Sequence, residues 1–248
     1  MELAEFRQEK IKGRGELFAK VISTLKEEQP IAIHQFGSGT NGYRDELSDM
    51  DMWFTFDDLR VNDVITRRDE IFSKIGKILI KSEPPQNAPL GGKYSLVIFD
   101  TDHGLYHVDF YLSKHSQTNI RPDAIFLHGT DEIPRGEWIM DKDAKTNETL
   151  EETMNQTITM AFILIKAIIR GGWNDTHANY LRALYQDVQR IAGKRPESLP
   201  DTSDFTFLNS LLDNLITDSD EKQKIALAKI KDYANKVKNL YLLPNDKK

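Results

Sequence analysis

Asp49 and Asp51 stand two apart in Ser48-Asp49-Met50-Asp51-Met52-Trp53-Phe54, at the head of an apolar-rich run. Residues two apart in a strand point to the same side. Two carboxylates held side by side repel each other unless a cation lies between them. Eleven residues before Asp49 comes Ser38, flanked by Gly37 and Gly39. A Gly-Ser turn offers backbone N–H groups and a hydroxyl to a phosphate. A further carboxylate, Asp109, lies in Leu105-Tyr106-His107-Val108-Asp109-Phe110-Tyr111-Leu112. There Val108, Phe110 and Leu112 alternate with His107, Asp109 and Tyr111, the period of a strand. A phosphate cradle beside a divalent-cation site is equipment for chemistry on a nucleoside triphosphate.

Positioning those residues requires a sheet. Ile31 to Phe36 reads as a first strand leading into the Gly-Ser turn, and Asp49 to Phe56 as a second. Tyr94 to Phe99 is strand-like, Asp100 to Gly104 reads as a hairpin turn, and Ala124 to Leu127 as one more short strand. A helix from Glu5 to Glu28 precedes the first strand and stops at Pro30. The apolar spacing also predicts one helix from Asn62 to Ser82, with Val64, Ile65, Ile71, Phe72, Ile75, Ile78 and Leu79 inward. The Pro- and Gly-rich stretch from Glu83 to Gly92 is a loop by composition. After Ala144 the period becomes helical throughout: Glu148 to Arg170, Asp175 to Ala192, Thr206 to Thr217 and Ser219 to Leu243. Thr149-Leu150-Glu151-Glu152 has the form of a capping box. The expected architecture is α/β (α+β). A catalytic domain with a mixed, largely antiparallel sheet covers residues 1–144, and a helical bundle that binds substrate covers 145–248. A cleft between them is the expected substrate site.

The composition narrows the partners. The chain has 248 residues and a net charge of −6, opposite to the basic footprint of proteins that grip long nucleic acids. This balance fits a small or cationic acceptor better, since an acidic cleft attracts cations. Without cysteine there is no disulfide framework, thiolate metal site or thiol nucleophile. The charged N-terminus lacks a secretory core, and the most apolar run, Met160 to Ile169, contains Lys166 and is too short to span a bilayer. The expectation is a cytoplasmic protein without a membrane partner.

The order of apolar strand, Gly-Ser, spacer and Asp-x-Asp resembles the polymerase-beta-type nucleotidyltransferase superfamily, and Asp109 matches its third carboxylate. The resemblance in motifs covers residues 31–56 and 105–112; over the helical half it is architectural. It implies Mg2+ as cofactor and ATP or another nucleoside triphosphate as co-substrate. Asp49 and Asp51 would hold the metal that rides with the triphosphate. Asp109 would join them at a second metal and take the acceptor's proton, a role for which Glu151 or Glu152 is the alternative. Ser38 and the Gly37 and Gly39 amides would contact the β- and γ-phosphates. Size, helical domain and acidity resemble bacterial aminoglycoside and lincosamide nucleotidyltransferases. The spacer Gly39-Thr40-Asn41-Gly42 departs from the Ala-Arg-Gly of minimal toxin–antitoxin members. The implied activity is transfer of AMP to a hydroxyl of such an antibiotic. Adenylylation of a protein partner, or a non-catalytic nucleotide-binding regulator of the same fold, are the alternatives.

Lys166 interrupts an apolar helical run, and a buried ammonium needs an anion. Lys166 and Arg170 share a helix face four residues apart. With Gly171-Gly172-Trp173 they look like the Lys/Arg-Gly-aromatic segment of the antibiotic enzymes, which implies triphosphate contacts. Snorkelling of Lys166 to solvent is the plain alternative. Lys93 and Arg44 read as surface charges first and phosphate contacts second. His107 shares the Asp109 face, where a structural role outweighs substrate contact. Trp173 and Tyr180 would serve either as stacking rings or as core.

Overall fold

The computed structural model describes residues 1–42, 45–141, 149–171, 175–195 and 205–241. The chain divides into two compact units, one of Arg7–Asn147 and one of Met1–Phe6 with Glu148–Lys248. Its described residues form a mixed α/β protein: an N-terminal helix, a six-stranded sheet with one helix in its course, and four C-terminal helices.

Helix α1 (Leu3–Glu27) leads into β1 (Ala32–Phe36), a 3₁₀ turn (Gly37–Asn41) and β2 (Met50–Phe56). Next come α2 (Val61–Ile75), β3 (Lys77–Ser82), β4 (Lys93–Thr101), β5 (Gly104–Lys114) and β6 (Ile125–Gly129). The sheet order is β3-β4-β5-β2-β1-β6. β2 and β5 run parallel, and the other neighbouring pairs are antiparallel. Leu17, Val21 and Leu25 of α1 are four apart and bury one face of that helix. Val61, Val64, Ile71, Phe72 and Ile75 do the same for α2. Both helices cover the sheet face formed by Met50, Met52, Phe54 and Phe56 of β2 and Val108, Phe110 and Leu112 of β5. The alternation of strands then puts Asp51, Trp53, His107, Asp109 and Tyr111 on the opposite face.

One expected helix is corrected. The run from Asn62 to Ser82 is helical only to Ile75. Gly76 is fully extended (φ 174°, ψ −177°), and Lys77–Ser82 is an edge strand paired with β4. Ile78 and Leu79 fit a helical stripe, yet they are also β-branched or bulky residues suited to a pleat. The pairing with Leu96 to Asp100 decides between the two.

The second unit holds α3 (Leu150–Ile169), α4 (Asp175–Ile191), α5 (Phe205–Ile216) and α6 (Glu221–Tyr241). The capping box is formed: the Thr149 hydroxyl accepts from the Glu152 N–H at 3.2 Å, and Glu152 Oε2 accepts from the Thr149 N–H at 2.8 Å. α3 is central, in contact with α4, α5 and α6, and its Phe162 packs on Tyr233 of α6 with ring centroids 5.3 Å apart. Among the described residues no helix is long and apolar enough to cross a membrane.

Candidate functional site

The parallel ladder sets Asp51 of β2 directly beside Asp109 of β5. Asp49 lies one residue before β2 begins. Its Oδ1 is 3.1 Å from His107 Nδ1, while His107 Nε2 is 2.9 Å from Asp109 Oδ1. Tyr94, on β4, donates its hydroxyl to the same Asp109 oxygen at 2.5 Å. All three predicted carboxylates therefore meet, joined by His107.

Gly37 closes this cluster. It adopts φ +68°, a backbone region that L side chains rarely enter, and a Cβ placed there would lie 2.2 Å from Asp51 Oδ2. The turn is thus pressed against the Asp51 carboxylate. Gly39 is held equally close to Gln35, where an added Cβ would meet Nε2 at 2.2 Å. Ser38 is half-buried, and its hydroxyl makes no hydrogen bond among the described residues.

Burial drives the Asp51 carboxyl pKa well above the ordinary carboxylate range, and the Asp109 and Asp49 charges push it further the same way. A proton does there what a cation would do. The donors are hard oxygens of the kind Mg2+ prefers. In the arrangement present, no group of three or more His, Asp or Glu among the described residues is disposed to hold a metal. Hydrogen bonds from Tyr94 and His107 engage Asp109 Oδ1 instead. The chemistry of the donor set fits a divalent cation; side-chain adjustment is needed to hold one.

Two features were not foreseen. First, α1 secures the segment before Asp49. Arg7 Nε lies 2.8 Å from Glu46 Oε1, and Arg14 donates to the Asp45 carbonyl at 2.7 Å. Asp45 Oδ1 then accepts from the Leu47 N–H at 2.8 Å, and Ser48 Oγ accepts from the Asp45 N–H at 3.1 Å. Second, an aromatic wall adjoins the carboxylates. Trp53 stacks on Tyr111 at 5.1 Å, and Trp138 lies 4.7 Å from Phe36 and 5.3 Å from Tyr111. Arg121, over Trp138 at 5.4 Å, feels the Asp51 charge. Phe36, Trp53 and Tyr111 were visible as alternating strand residues, but nothing in the sequence brings Trp138 onto them.

The remaining candidates belong to other elements. Lys166 and Arg170 belong to the helical unit. Lys166 is 2% exposed, with its ammonium 4.9 Å from the Phe162 ring centroid, so it does not snorkel. Arg170 is half-buried and caps the C-terminus of α3. Glu151 and Glu152 are exposed in the first turn of α3, where they stabilise the helix start. Tyr180 is 39% exposed on α4. Lys93 pairs with Glu83 at 3.1 Å. Arg44 and Trp173 lie outside the described residues. A comparison with protein-family models finds no match to this chain, and neither does a comparison with characterised proteins.

Proposed function

We propose that this protein transfers a nucleoside monophosphate, AMP from ATP, to a hydroxyl of a small molecule, in the manner of polymerase-beta-type nucleotidyltransferases. The observation that carries the reading is the meeting of Asp51 and Asp109 across parallel strands, with Gly37 pressed on Asp51. Asp49 reaches the same cluster through His107. These carboxylates would hold Mg2+, which when bound offsets the charge gathering on the phosphoryl oxygens. The Ser38 hydroxyl and the Gly37 and Gly39 amides bind the β- and γ-phosphates. The acceptor oxygen bonds to the α-phosphorus, the bond to the oxygen bridging the β-phosphate breaks, and pyrophosphate leaves with that electron pair. Asp109 receives the hydroxyl proton. A net charge of −6 supports a cationic acceptor, and an aminoglycoside or lincosamide antibiotic is the class proposed.

The test is purified protein with ATP, Mg2+ and a panel of aminoglycosides and lincosamides, with pyrophosphate measured and products weighed by mass spectrometry. The expected result is pyrophosphate release that depends on one acceptor, which gains an adenylyl group. ATP binding without release under any condition overturns the enzymatic reading in favour of a regulator. Adenylyl groups found only on added protein overturn the small-molecule acceptor.

A further inference from the structure

Tyr94 has no part in the reaction proposed above, yet it makes a short hydrogen bond to the buried carboxylate of Asp109. Its side chain is buried (4% exposed), and a phenol hydroxyl so placed is costly without an acceptor. The acceptor is Asp109 Oδ1, at 2.5 Å. Hydrogen bonds to an ionised oxygen are the strong, short kind. His107 Nε2 reaches the same oxygen at 2.9 Å. A carboxylate oxygen has two lone pairs, so these two partners fill Oδ1. Oδ2 is the oxygen that neither of them engages.

Resting on the function proposed above, we infer that Tyr94 is a positioning residue. With His107 it fixes the rotation of the Asp109 carboxylate and reserves Oδ2 for the cation and the acceptor hydroxyl. The ring of Tyr94 packs on Tyr111 with centroids 4.9 Å apart. Burial and the Asp109 charge both raise the Tyr94 pKa, which keeps its hydroxyl a donor. The ring could serve packing alone; the hydroxyl aimed at one oxygen could not.

Tyr94→Phe keeps the ring and removes the donor. Free Mn2+ followed by electron paramagnetic resonance, with a non-hydrolysable ATP analogue present, reads the effect without turnover. The expected result is Mn2+ affinity weaker by about tenfold, the lower end for partners that orient a metal-ligating carboxylate. In the Asp109→Asn background the same change leaves affinity unaltered, because Tyr94 acts only through Asp109. A packing role would lower the melting temperature and leave both readouts where they were. His107→Gln, which disturbs the second partner of the same oxygen, is expected to weaken Mn2+ binding too and serves if Tyr94→Phe does not fold. Wild-type protein that binds Mn2+ while Tyr94→Phe matches it within about twofold, well short of that range, overturns this inference alone. Wild-type protein that binds no Mn2+ overturns the proposed function and this inference with it.

Discussion

Asp51 shows what one residue costs the fold in return for its place in the site. It is half-buried beside two other acids, Asp109 and Asp49, and against Gly37. Its folded pKa is raised, so the sign of its effect on stability is unfavourable above the acid range. Below about pH 4, the ordinary aspartate value, it is protonated in folded and unfolded chains alike. As pH rises from there to the folded pKa, the unfolded chain releases its proton first, and stability falls. Above the folded pKa the penalty is complete and constant. Asp51→Asn removes it. In EDTA at pH 7 the variant is expected to melt at a higher temperature than wild type, with the difference shrinking toward pH 4. A variant that melts lower at pH 7 would show that the carboxylate is better satisfied than its neighbours imply. The Gly-Ser turn and the Asp-x-Asp pair were legible in the sequence because each is local. Tyr94 was not, because its role depends on strand register. Counting back from the hairpin turn at Thr101 and Gly104 sets Leu96 opposite Asp109 and Tyr94 opposite Tyr111. That count places Tyr94 diagonal to Asp109, within reach of a long side chain.

The link between α2, β3 and β4 is where local reading failed, and it carries its own electrostatics. Glu83, just past β3, accepts from Arg68 of α2 at 2.6 and 2.7 Å. It also takes bonds from Lys81 and from the Ser95 hydroxyl, each at 2.8 Å. A window on the sequence sees Ile75, Ile78 and Leu79 at helical spacing and carries the helix through Gly76. It cannot see the β4 partners or the acid that gathers cations from two strands and a helix. Despite partial burial, which opposes ionisation, the Arg68 and Lys81 contacts hold the Glu83 pKa far below the usual glutamate value. Its stabilising effect is present above about pH 4, the unfolded value, and is lost as pH falls toward the folded one. Glu83→Gln leaves three cations facing each other and is expected to cost about 3 kcal/mol at neutral pH. Urea denaturation at pH 7 and pH 3 checks this, since the gap between wild type and variant should narrow below the unfolded value without closing at pH 3, which still lies above the folded one. Equal stabilities at pH 7 would make the cluster a surface network of little consequence.

At the scale of the chain, the helical half was legible almost to the residue, while the relation of sheet to function rests on long-range pairing. Thr149 and Glu152 announce the start of α3, and its apolar stripe carries Met154, Ile158, Phe162 and Ile165 into the unit's own interior. The sheet unit is equally self-contained. Its core draws on α1, α2 and the strands, all within Arg7–Asn147, and Arg67 of α2 holds Glu28, just after α1, at 2.6 Å. A domain with its own hydrophobic core folds by itself. Residues 7–147, which begin one turn into α1, are therefore expected to unfold in a single cooperative transition by circular dichroism. Asp49, Asp51, Asp109, His107 and Tyr94 all lie in that fragment, so it should bind Mn2+ as the full chain does. Lys166 and Arg170 do not, and pyrophosphate release by the fragment shows whether turnover depends on the helical unit. A fragment that folds and still turns over would show that neither cation is needed for the transfer. One that folds but binds no Mn2+ would show that the carboxylates need a ligand from outside the sheet.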